Sequence, residues 1–215
     1  MRHKFYLFLI LTVLFTACNE ESTISKKEST ATETETIVSS DKNHSQMTKS
    51  ILKKLPPQEY TFKFSNLQQQ ASTLKMKHDI YSFSNIKQPI IMVTLFSTWC
   101  PPCRGQIPHL SNLQKKFKES LFILGALVHD DIKEEALKKF IIAEKALFFI
   151  SVNQENNLAF ANMITPKLRL KKDFPMPLMI LFFRGKYFTH YEGSMPEEMI
   201  ESDIEQLLIK IRKGQ

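Results

Sequence analysis

The sequence predicts an α/β fold in which helices flank a mixed β-sheet, and two patterns carry this prediction. Continuous apolar runs, typical of strands buried on both faces, alternate along the chain with stretches of helical periodicity. Near the C-terminus, Gly185 separates two strand-like runs into a hairpin, which adds an antiparallel pair to the sheet. The length of 215 residues suits one domain with additional segments.

The composition is that of a globular protein and argues against a nucleic-acid partner. Hydrophobic residues make up 43% of the chain and charged residues 24%, which is ordinary for a folded domain. The formal net charge of +7 comes from lysines spread over several predicted helices and the N-terminal linker. No basic stripe with interleaved aromatic residues stands out, so the charge is interpreted as a solvated surface.

Residues 1–18 are predicted to be an export signal. A basic start precedes the apolar run 5–17, which is shorter than the roughly 20 residues that span a bilayer. Small residues then lead to Cys18, which resembles a bacterial lipoprotein signal in which this cysteine is lipidated, although Phe15 replaces the usual Leu. An ordinary cleaved signal or an uncleaved anchor is the alternative. We expect the protein to face the periplasm, anchored to a bacterial membrane through its N-terminus.

Residues 19–57 are predicted to form a disordered polar tether. They are rich in Ser, Thr, Glu and Lys and show neither a helical nor a strand period. Such a stretch cannot bury enough apolar surface to offset its ordering entropy. A coil of this length reaches about 30–40 Å, which would let a catalytic domain search the zone near the membrane. A segment that binds a partner is the alternative.

Residues 58–215 are predicted to form the folded domain, which begins with an N-terminal strand extension. Alternation over 60–64 predicts a strand, and scattered apolar residues over 72–86 predict a short strand at 72–76 followed by a connector. The apolar run 89–96, bounded by Gln88 and Ser97, predicts a central strand buried on both faces.

Helices and strands then alternate to the end of the chain. Apolar residues at helical spacing predict helices over 104–117, 132–145, 156–168 and 195–211. Apolar runs and the hairpin pattern predict strands over 121–128, 146–151, 178–183 and 186–191. The second helix is expected to bury Ala136, Phe140 and Ile141, and Asn156 or Asn157 is expected to cap the third.

Cys100 and Cys103 stand three residues apart where a predicted strand meets a predicted helix, so they can close a small disulfide ring. A zinc site would need further ligands, but no cysteine follows, and neither His109 nor His129 has a partner at ligand spacing. No metal is therefore expected. A purely structural disulfide is disfavoured because so short a loop constrains the unfolded chain weakly. Redox catalysis is the favoured interpretation.

The start of a helix suits thiol chemistry. If Cys100 occupies the N-cap, the unpaired N–H groups and the helix dipole favour its thiolate and lower its pKa. Pro101 and Pro102 suit the first turn, where a missing N–H matters little. Arg104 adds local positive charge. Cys100 is therefore predicted to be the nucleophile and Cys103, one turn on and more buried, the resolving thiol.

The segment 94–108, TLFSTWCPPCRGQIP, resembles the active-site segment of the thioredoxin superfamily, and more narrowly its membrane-tethered TlpA/ResA branch. The similarity extends over about residues 58–213. It implies a thioredoxin-like fold and an exported reductase of protein disulfides, in some members serving cytochrome c maturation. The expected partners are disulfide-containing exported proteins and a membrane thiol electron donor. The resemblance implies no cofactor beyond the redox-active disulfide.

The family's second landmark is a cis-proline followed by a strand and a glycine turn, and the segment 176–185 has this spacing. The resemblance implies that Pro177 is cis and that Met176 offers its backbone to an extended substrate. An ordinary trans proline at a strand start is the alternative. The residues expected to contact substrate are Trp99, Pro101, Pro102 and Met176, with Phe174 and Pro175 completing an apolar rim.

Two departures from the family concern proton transfer. Gln106 stands where the branch has Glu, and Thr94 stands where thioredoxins carry a buried Asp, so neither position can titrate. We expect deprotonation of Cys103 to use water, the mixed-disulfide partner or another carboxylate. Asp130 and Asp131 are candidates for that carboxylate, although a role as helix caps is the favoured interpretation.

Other functions remain as alternatives. A periplasmic oxidant or isomerase would use the same cysteines, but an isomerase usually dimerises and no dimerisation region precedes residue 58, so a monomer is expected. A thiol peroxidase is disfavoured because Val93 stands where a proline is expected. A thioredoxin-like lipoprotein that only binds partners is the alternative outside enzymes, and the intact pair beside Trp99 argues against it.

Overall fold

A computed structural model describes residues 59–214 of the chain. The predicted anchor 1–18 with Cys18, the tether 19–57, and residues 58 and 215 lie outside the described residues. The strands are β1 Glu59–Ser65, β2 Ala71–Lys77, β3 Ile80–Phe83, β4 Ile90–Phe96, β5 Leu121–Leu127, β6 Phe149–Ser151, β7 Leu178–Phe183 and β8 Lys186–Glu192. The helices are α1 Pro101–Lys116, α2 Glu134–Ala143, α3 Gln154–Lys167 and α4 Glu197–Arg212.

The central sheet has five strands in the order β6-β5-β4-β7-β8, and it is mixed as the sequence predicts. Strands β4, β5 and β6 run parallel, whereas β7 and β8 pair antiparallel. Every residue of β4 is buried, because helices or strands cover both of its faces. The C-terminal end of this central strand therefore projects from the middle of the sheet.

Helices pack against both faces of the central sheet. On one face, Leu110 of α1 and Ile204 of α4 pack against alternate residues of the central strands. On the other face, Phe160 of α3 packs against the remaining residues of those strands. Helix α2 lies toward the carboxyl end of the sheet, where Leu137 packs near Phe96 and the cysteines. This arrangement places the start of α1 directly beyond the end of β4.

The N-terminal extension is a separate antiparallel sheet in the order β1-β2-β3. Strand β3 was not predicted, and its residues were expected to form a connector. It has only four residues and follows a turn, so its sequence shows no clear alternation. Phe62 and Phe64 meet Phe160 edge-on, with ring centroids 5.5 and 5.7 Å apart. The extension thus covers α3 and one face of the central sheet, completing the core on the side opposite α1.

Two local predictions are wrong. Helix α3 is capped by Asn153, whose side chain accepts from the N–H of Asn156 at 3.2 Å, and Asn157 is instead buried and bonds Ser151. Helix α2 begins after Lys133 without a side-chain cap, so neither Asp130 nor Asp131 caps it. Sequence patterns place caps poorly here because several polar residues compete at each helix start.

The predicted apolar face of α2 is only partly buried. Leu137 is its one buried residue, whereas Ala136 is exposed and Phe140 and Ile141 are half-buried. Within residues 59–214, no helix is both long enough and apolar enough to cross a bilayer.

Tyr191 links β8 to α4, because its hydroxyl donates to Asp203 Oδ2 at 2.6 Å. Burial, and then this hydrogen bond, raise the pKa of Tyr191 above its ordinary value. The unfolded tyrosine ionises near pH 10 while the folded one stays protonated, so this contribution is present below pH 10 and lost above it. Tyr191→Phe should flatten the alkaline decline in unfolding free energy, by up to about 1.4 kcal/mol per pH unit. Urea titrations between pH 8 and 11 measure it, and an unchanged slope would contradict the assignment.

Candidate active site

The loop that carries the first cysteine is fastened to the end of the neighbouring strand β5. Ser97 is fully buried, and its hydroxyl donates to the carbonyl of Val128 at 2.5 Å. The N–H of Thr98 donates to Asp130 Oδ2 at 2.5 Å, and the indole N–H of Trp99 donates to the carbonyl of His129 at 2.9 Å. Three successive residues are thus held by the same segment, which fixes the approach of the chain to Cys100.

Cys100 is the N-cap of α1, with φ −84° and ψ 112°, and Pro101 and Pro102 occupy its first turn. Its sulfur accepts from the N–H of Cys103 at 3.3 Å. The first turn holds no acidic residue that would repel a thiolate, and Lys115 and Lys116 in the last turn match the negative end of the helix dipole. This environment favours the thiolate of Cys100 and lowers the free energy of its formation.

The two cysteines form a disulfide, with Cα atoms 5.3 Å apart. Cys100 is 4% exposed and Cys103 1%, so Cys103 is the more buried of the two. An incoming sulfur therefore has its access on the Cys100 side. This asymmetry is the arrangement that a nucleophile and a resolving thiol require.

The Met176–Pro177 peptide bond is cis, and Pro177 is buried at the entry to β7. The carbonyl oxygen of Met176 lies 3.8 Å from Cys100 Sγ, and the Met176 sulfur accepts from the Ser97 hydroxyl at 3.6 Å. A backbone carbonyl beside the sulfur provides an acceptor against which an extended peptide could align. Residues 76 positions apart in sequence thus meet at one sulfur atom.

The remaining rim residues differ in exposure. Trp99 is 60% exposed, and Pro101, Pro102 and Pro175 are also exposed. Phe174 is half-buried and packs against the main core, where it lines a cavity of about 440 Å³ together with Met176. Trp99 and Pro101 adjoin Cys100 in sequence and the Met176 carbonyl lies beside its sulfur, whereas Phe174 packs against the core.

Arg104 directs its charge away from the disulfide. Its guanidinium pairs with Glu144, with Nη2 2.7 Å from Oε1, beyond the end of α2. The positive charge is therefore partly compensated by that carboxylate rather than directed at the cysteines. The modulating role predicted for Arg104 reduces to a tie between α1 and α2.

Thr94 and Gln106 lie beneath the cysteines, and each carries an unpaired buried atom. Both are 1% exposed, and no hydrogen-bond partner among residues 59–214 reaches Thr94 Oγ1 or Gln106 Nε2. By strand alternation Thr94 lies on the face of β4 that packs against α1. Gln106 is buried on the same face of α1 as Cys103, and its Oε1 accepts from the N–H of Met195 at 2.8 Å.

Gln106→Glu should add an ionisation to the pH dependence of disulfide reduction. The new carboxyl lies one turn from Cys103 in a buried position, so its pKa should be raised. Rates of reduction measured from pH 5 to 9 should show an extra inflection. Gln68→Glu, an exposed substitution of the same charge in the β1–β2 turn, is the control. A Gln106→Glu profile that matches wild type would exclude a role for position 106 in proton transfer.

Asp130 holds the redox loop instead of capping α2. It is 5% exposed and, besides Thr98, accepts from the N–H of Ile132 at 3.1 Å. Both oxygens are thereby engaged by backbone donors. Asp130 was predicted as a candidate proton acceptor or helix cap, and its hydrogen bond to the loop was not predicted. The contacts of Ser97 and His129 that hold the loop were not predicted either. Their position directly after two parallel strands is the only signal that could have found them.

No metal centre is apparent in the described part of the chain. Within residues 59–214, no group of three or more His, Cys, Asp or Glu side chains is placed to hold an ion.

His109 lies on the exposed face of α1, and its Nδ1 is 3.0 Å from Oε2 of Glu197 in α4. Burial acts to raise the pKa of Glu197, but the hydrogen bonds from His109 and Asn112 lower it overall.

Comparison with known proteins places the chain in a family. The sequence profile of the AhpC/TSA family matches residues 63–189, which include Cys100, Cys103 and Pro177. The thiol-disulfide oxidoreductase ResA of Bacillus thuringiensis subsp. konkukian is 21% identical over 118 residues, 54% of this chain and 62% of that protein. ResA of Halalkalibacterium halodurans is 26% identical over 116 residues, 54% of this chain and 60% of that protein. The chain thus spans about three fifths of these relatives.

A solved structure with a similar fold supports the architecture. The crystal structure of a thiol:disulfide interchange protein, a thioredoxin family protein from Chlorobium tepidum TLS, has a TM-score of 0.54 at 15% identity. The match covers 72% of this chain and 99% of that one. The predicted thioredoxin-like fold is confirmed.

Proposed function

The chain belongs to the AhpC/TSA family of thioredoxin-like proteins, and from this premise we propose that it is a thiol–disulfide oxidoreductase acting on protein disulfides. One observation carries the proposal. Cys100 caps α1, pairs with a more buried Cys103, and lies 3.8 Å from the carbonyl oxygen of Met176. A polarised sulfur beside a backbone acceptor suits attack on a disulfide within an extended polypeptide.

In the reducing direction, the Cys100 thiolate attacks one sulfur of the substrate disulfide. A bond forms between Cys100 and the substrate, the substrate disulfide breaks, and the departing thiolate takes a proton from water. Cys103 then loses its proton and attacks Cys100 Sγ, forming the internal disulfide and releasing the second substrate thiolate. Two electrons pass from the cysteine pair to the substrate, the proton of Cys103 goes to water, and water protonates the two substrate thiolates. A thiol donor must then return the two electrons.

The test is insulin disulfide reduction with dithiothreitol as donor, together with the reduction potential of the pair. Wild type should accelerate insulin reduction over Cys100→Ser, and a potential near about −270 mV would favour a reductase. A potential near about −120 mV would favour the oxidant. Equal rates for wild type and Cys100→Ser would favour a protein that only binds. Peroxide consumption faster than disulfide reduction would favour the thiol peroxidase.

The proposal extends to location and partners. The signal-like residues 1–18 and the polar stretch 19–57 support an exported protein, tethered through a lipid on Cys18 and facing the periplasm. A membrane thiol donor would then supply electrons. The resemblance to the TlpA/ResA branch adds apocytochrome c as a candidate among the exported substrates.

Lipid labelling and fractionation test the location. Cells that express the full chain should incorporate labelled fatty acid into the protein, and Cys18→Ser should lose the label. Wild type should be found in the membrane fraction and be accessible to protease added outside the inner membrane. An unlabelled protein with residues 1–18 intact in the cytoplasmic fraction would contradict the proposal.

A further inference from the structure

A groove of about 430 Å³ lies between the redox loop and α2, and its lining does not include Met176. We call it the Trp99 groove, and its lining includes Trp99, Ile132, Ala136, Lys139, Phe140 and Ala143. We infer that this groove binds a large apolar side chain of the substrate polypeptide, next to an acidic residue and close to the cysteine under attack. This inference rests on the proposed function, and it specifies which segments of a substrate polypeptide the protein would prefer.

The core uses only part of the groove's apolar lining, because Ile132 and Phe140 are half-buried against it whereas Ala136 and Ala143 are exposed. Ala136, Phe140 and Ala143 recur at spacings of four and three residues, so they form one stripe of α2. Leu137 is the buried residue of α2, and Phe140 packs against the core while its exposed part lines the groove beside Trp99. An apolar helix stripe combined with a 60% exposed tryptophan is typical of a surface that binds a partner.

The walls of the groove are held in place before any partner arrives. The indole of Trp99 is fixed by its hydrogen bond to the His129 carbonyl at 2.9 Å. At the far end, the ion pair of Arg104 with Glu144 joins α1 to the end of α2. A site whose side chains are already ordered loses less conformational entropy on binding, which favours selectivity.

The groove is continuous with the redox site. Trp99 immediately precedes Cys100, and the Met176 carbonyl lies on the other side of the sulfur. A polypeptide whose backbone aligns along Met176 and whose cysteine meets Cys100 would pass its next side chains over Trp99. The groove therefore suits a residue within a few positions of the substrate cysteine.

The positive charge of Lys139 at the edge of the Trp99 groove favours a substrate segment with an acidic residue next to the bound apolar side chain. Lys138 pairs with both Glu134 and Glu135, whereas Lys139, which lines the groove, has no ion-pair partner among residues 59–214. A carboxylate beside the apolar side chain would compensate this charge. The occupant is thus a segment of an extended polypeptide that joins a large apolar residue, an acidic residue and a cysteine.

The probes are two synthetic peptides, each with one cysteine held in a disulfide with glutathione. One carries Leu-Glu and the other Ser-Ser beside the cysteine, and oxidised glutathione is the reference. The Cys100 thiolate attacks the peptide sulfur and releases glutathione, and Cys103 then releases the peptide thiol, so the protein pair is oxidised as both products are reduced. Stopped-flow measurement with the reduced protein gives each second-order rate constant.

We expect the Leu-Glu peptide to react about tenfold faster than the Ser-Ser peptide, which is the range for one apolar side chain in a pocket. Ala143→Glu and Ala136→Glu, both at exposed helix positions, should reduce the ratio of the two rates toward one. Ile142→Glu makes the same charge change at a 76% exposed neighbour outside the groove and should keep the ratio.

The outcomes separate the groove from the chemistry. Equal rates for the two peptides in wild type, or a preference that survives both groove substitutions, would overturn the inference while leaving the oxidoreductase intact. A preference lost equally in Ile142→Glu would also overturn it, since only net charge would then matter. Failure of wild type to reduce any of the three disulfides would overturn the proposed function and the groove with it.

Discussion

Cys103→Ser is expected to turn the protein into a trap that keeps its substrate covalently bound. Cys100 can still attack a disulfide, but the serine cannot displace the product, so a mixed disulfide accumulates. Cys100→Ser leaves only the buried Cys103, which an incoming disulfide cannot reach, and turnover should fall by about a thousandfold or more. Mass spectrometry after incubation with a disulfide peptide measures the adduct.

The pair of variants is its own control, because each removes one sulfur from the same disulfide. The adduct in Cys103→Ser should lie on Cys100 and disappear on addition of dithiothreitol. An adduct on Cys103 in Cys100→Ser, formed as fast as the one on Cys100, would reverse the assignment of nucleophile and resolving thiol. Absence of any adduct in both variants would contradict thiol–disulfide exchange at this site.

Asp130→Ala is expected to destabilise the protein and slow the redox site together. The substitution removes the acceptor for the N–H groups of Thr98 and Ile132 in a position that is 5% exposed. Leaving two such donors unpaired costs about 2–5 kcal/mol. Because Thr98 lies two residues before Cys100, the released loop should also lower the rate of disulfide reduction. Urea denaturation and stopped-flow reduction measure the two effects.

Two further variants separate structure from charge. Asp130→Asn keeps one acceptor oxygen and should lose roughly half as much unfolding free energy, about 1–3 kcal/mol. Asp131→Ala, at the exposed neighbour, should change neither quantity. If Asp130→Ala unfolded at the same urea concentration as wild type, the hydrogen bonds from Thr98 and Ile132 would contribute no net stability.

The elements that were predicted well are those governed by contacts close in sequence. The buried strand predicted at 89–96 is observed at 90–96, and the helix predicted at 104–117 begins at Pro101, after the N-cap Cys100. Both could be predicted because an apolar run, two prolines and a helical repeat adjoin one another. The hairpin at Gly185 was found for the same reason, since Gly185 has φ +76° and few other residues adopt that conformation readily.

The predictions that failed depended on competition between distant parts of the chain. The apolar face predicted for α2 was Ala136, Phe140 and Ile141, but Leu137 is the residue that the core buries, and Ala136 is exposed and lines the groove beside Trp99. Asn157 was expected to cap α3, but the buried ends of β5 and β6 use it as a hydrogen-bond partner. Periodicity reports that a face is apolar and cannot report what covers it.

The sequence by itself determined the position of the cysteine pair at the start of a helix, from which the proposed chemistry follows. Two cysteines separated by two prolines at the start of a helix define a redox pair through local geometry, and local geometry follows from neighbouring residues. Only the tertiary structure decided what surrounds the pair. The Met176 carbonyl lies beside Cys100, the Asp130 carboxylate holds Thr98 of the redox loop, and residues of α2 form the groove beside Trp99. These contacts arise because the parallel strands β4 and β5 end, and the antiparallel strand β7 begins, at the same edge of the sheet.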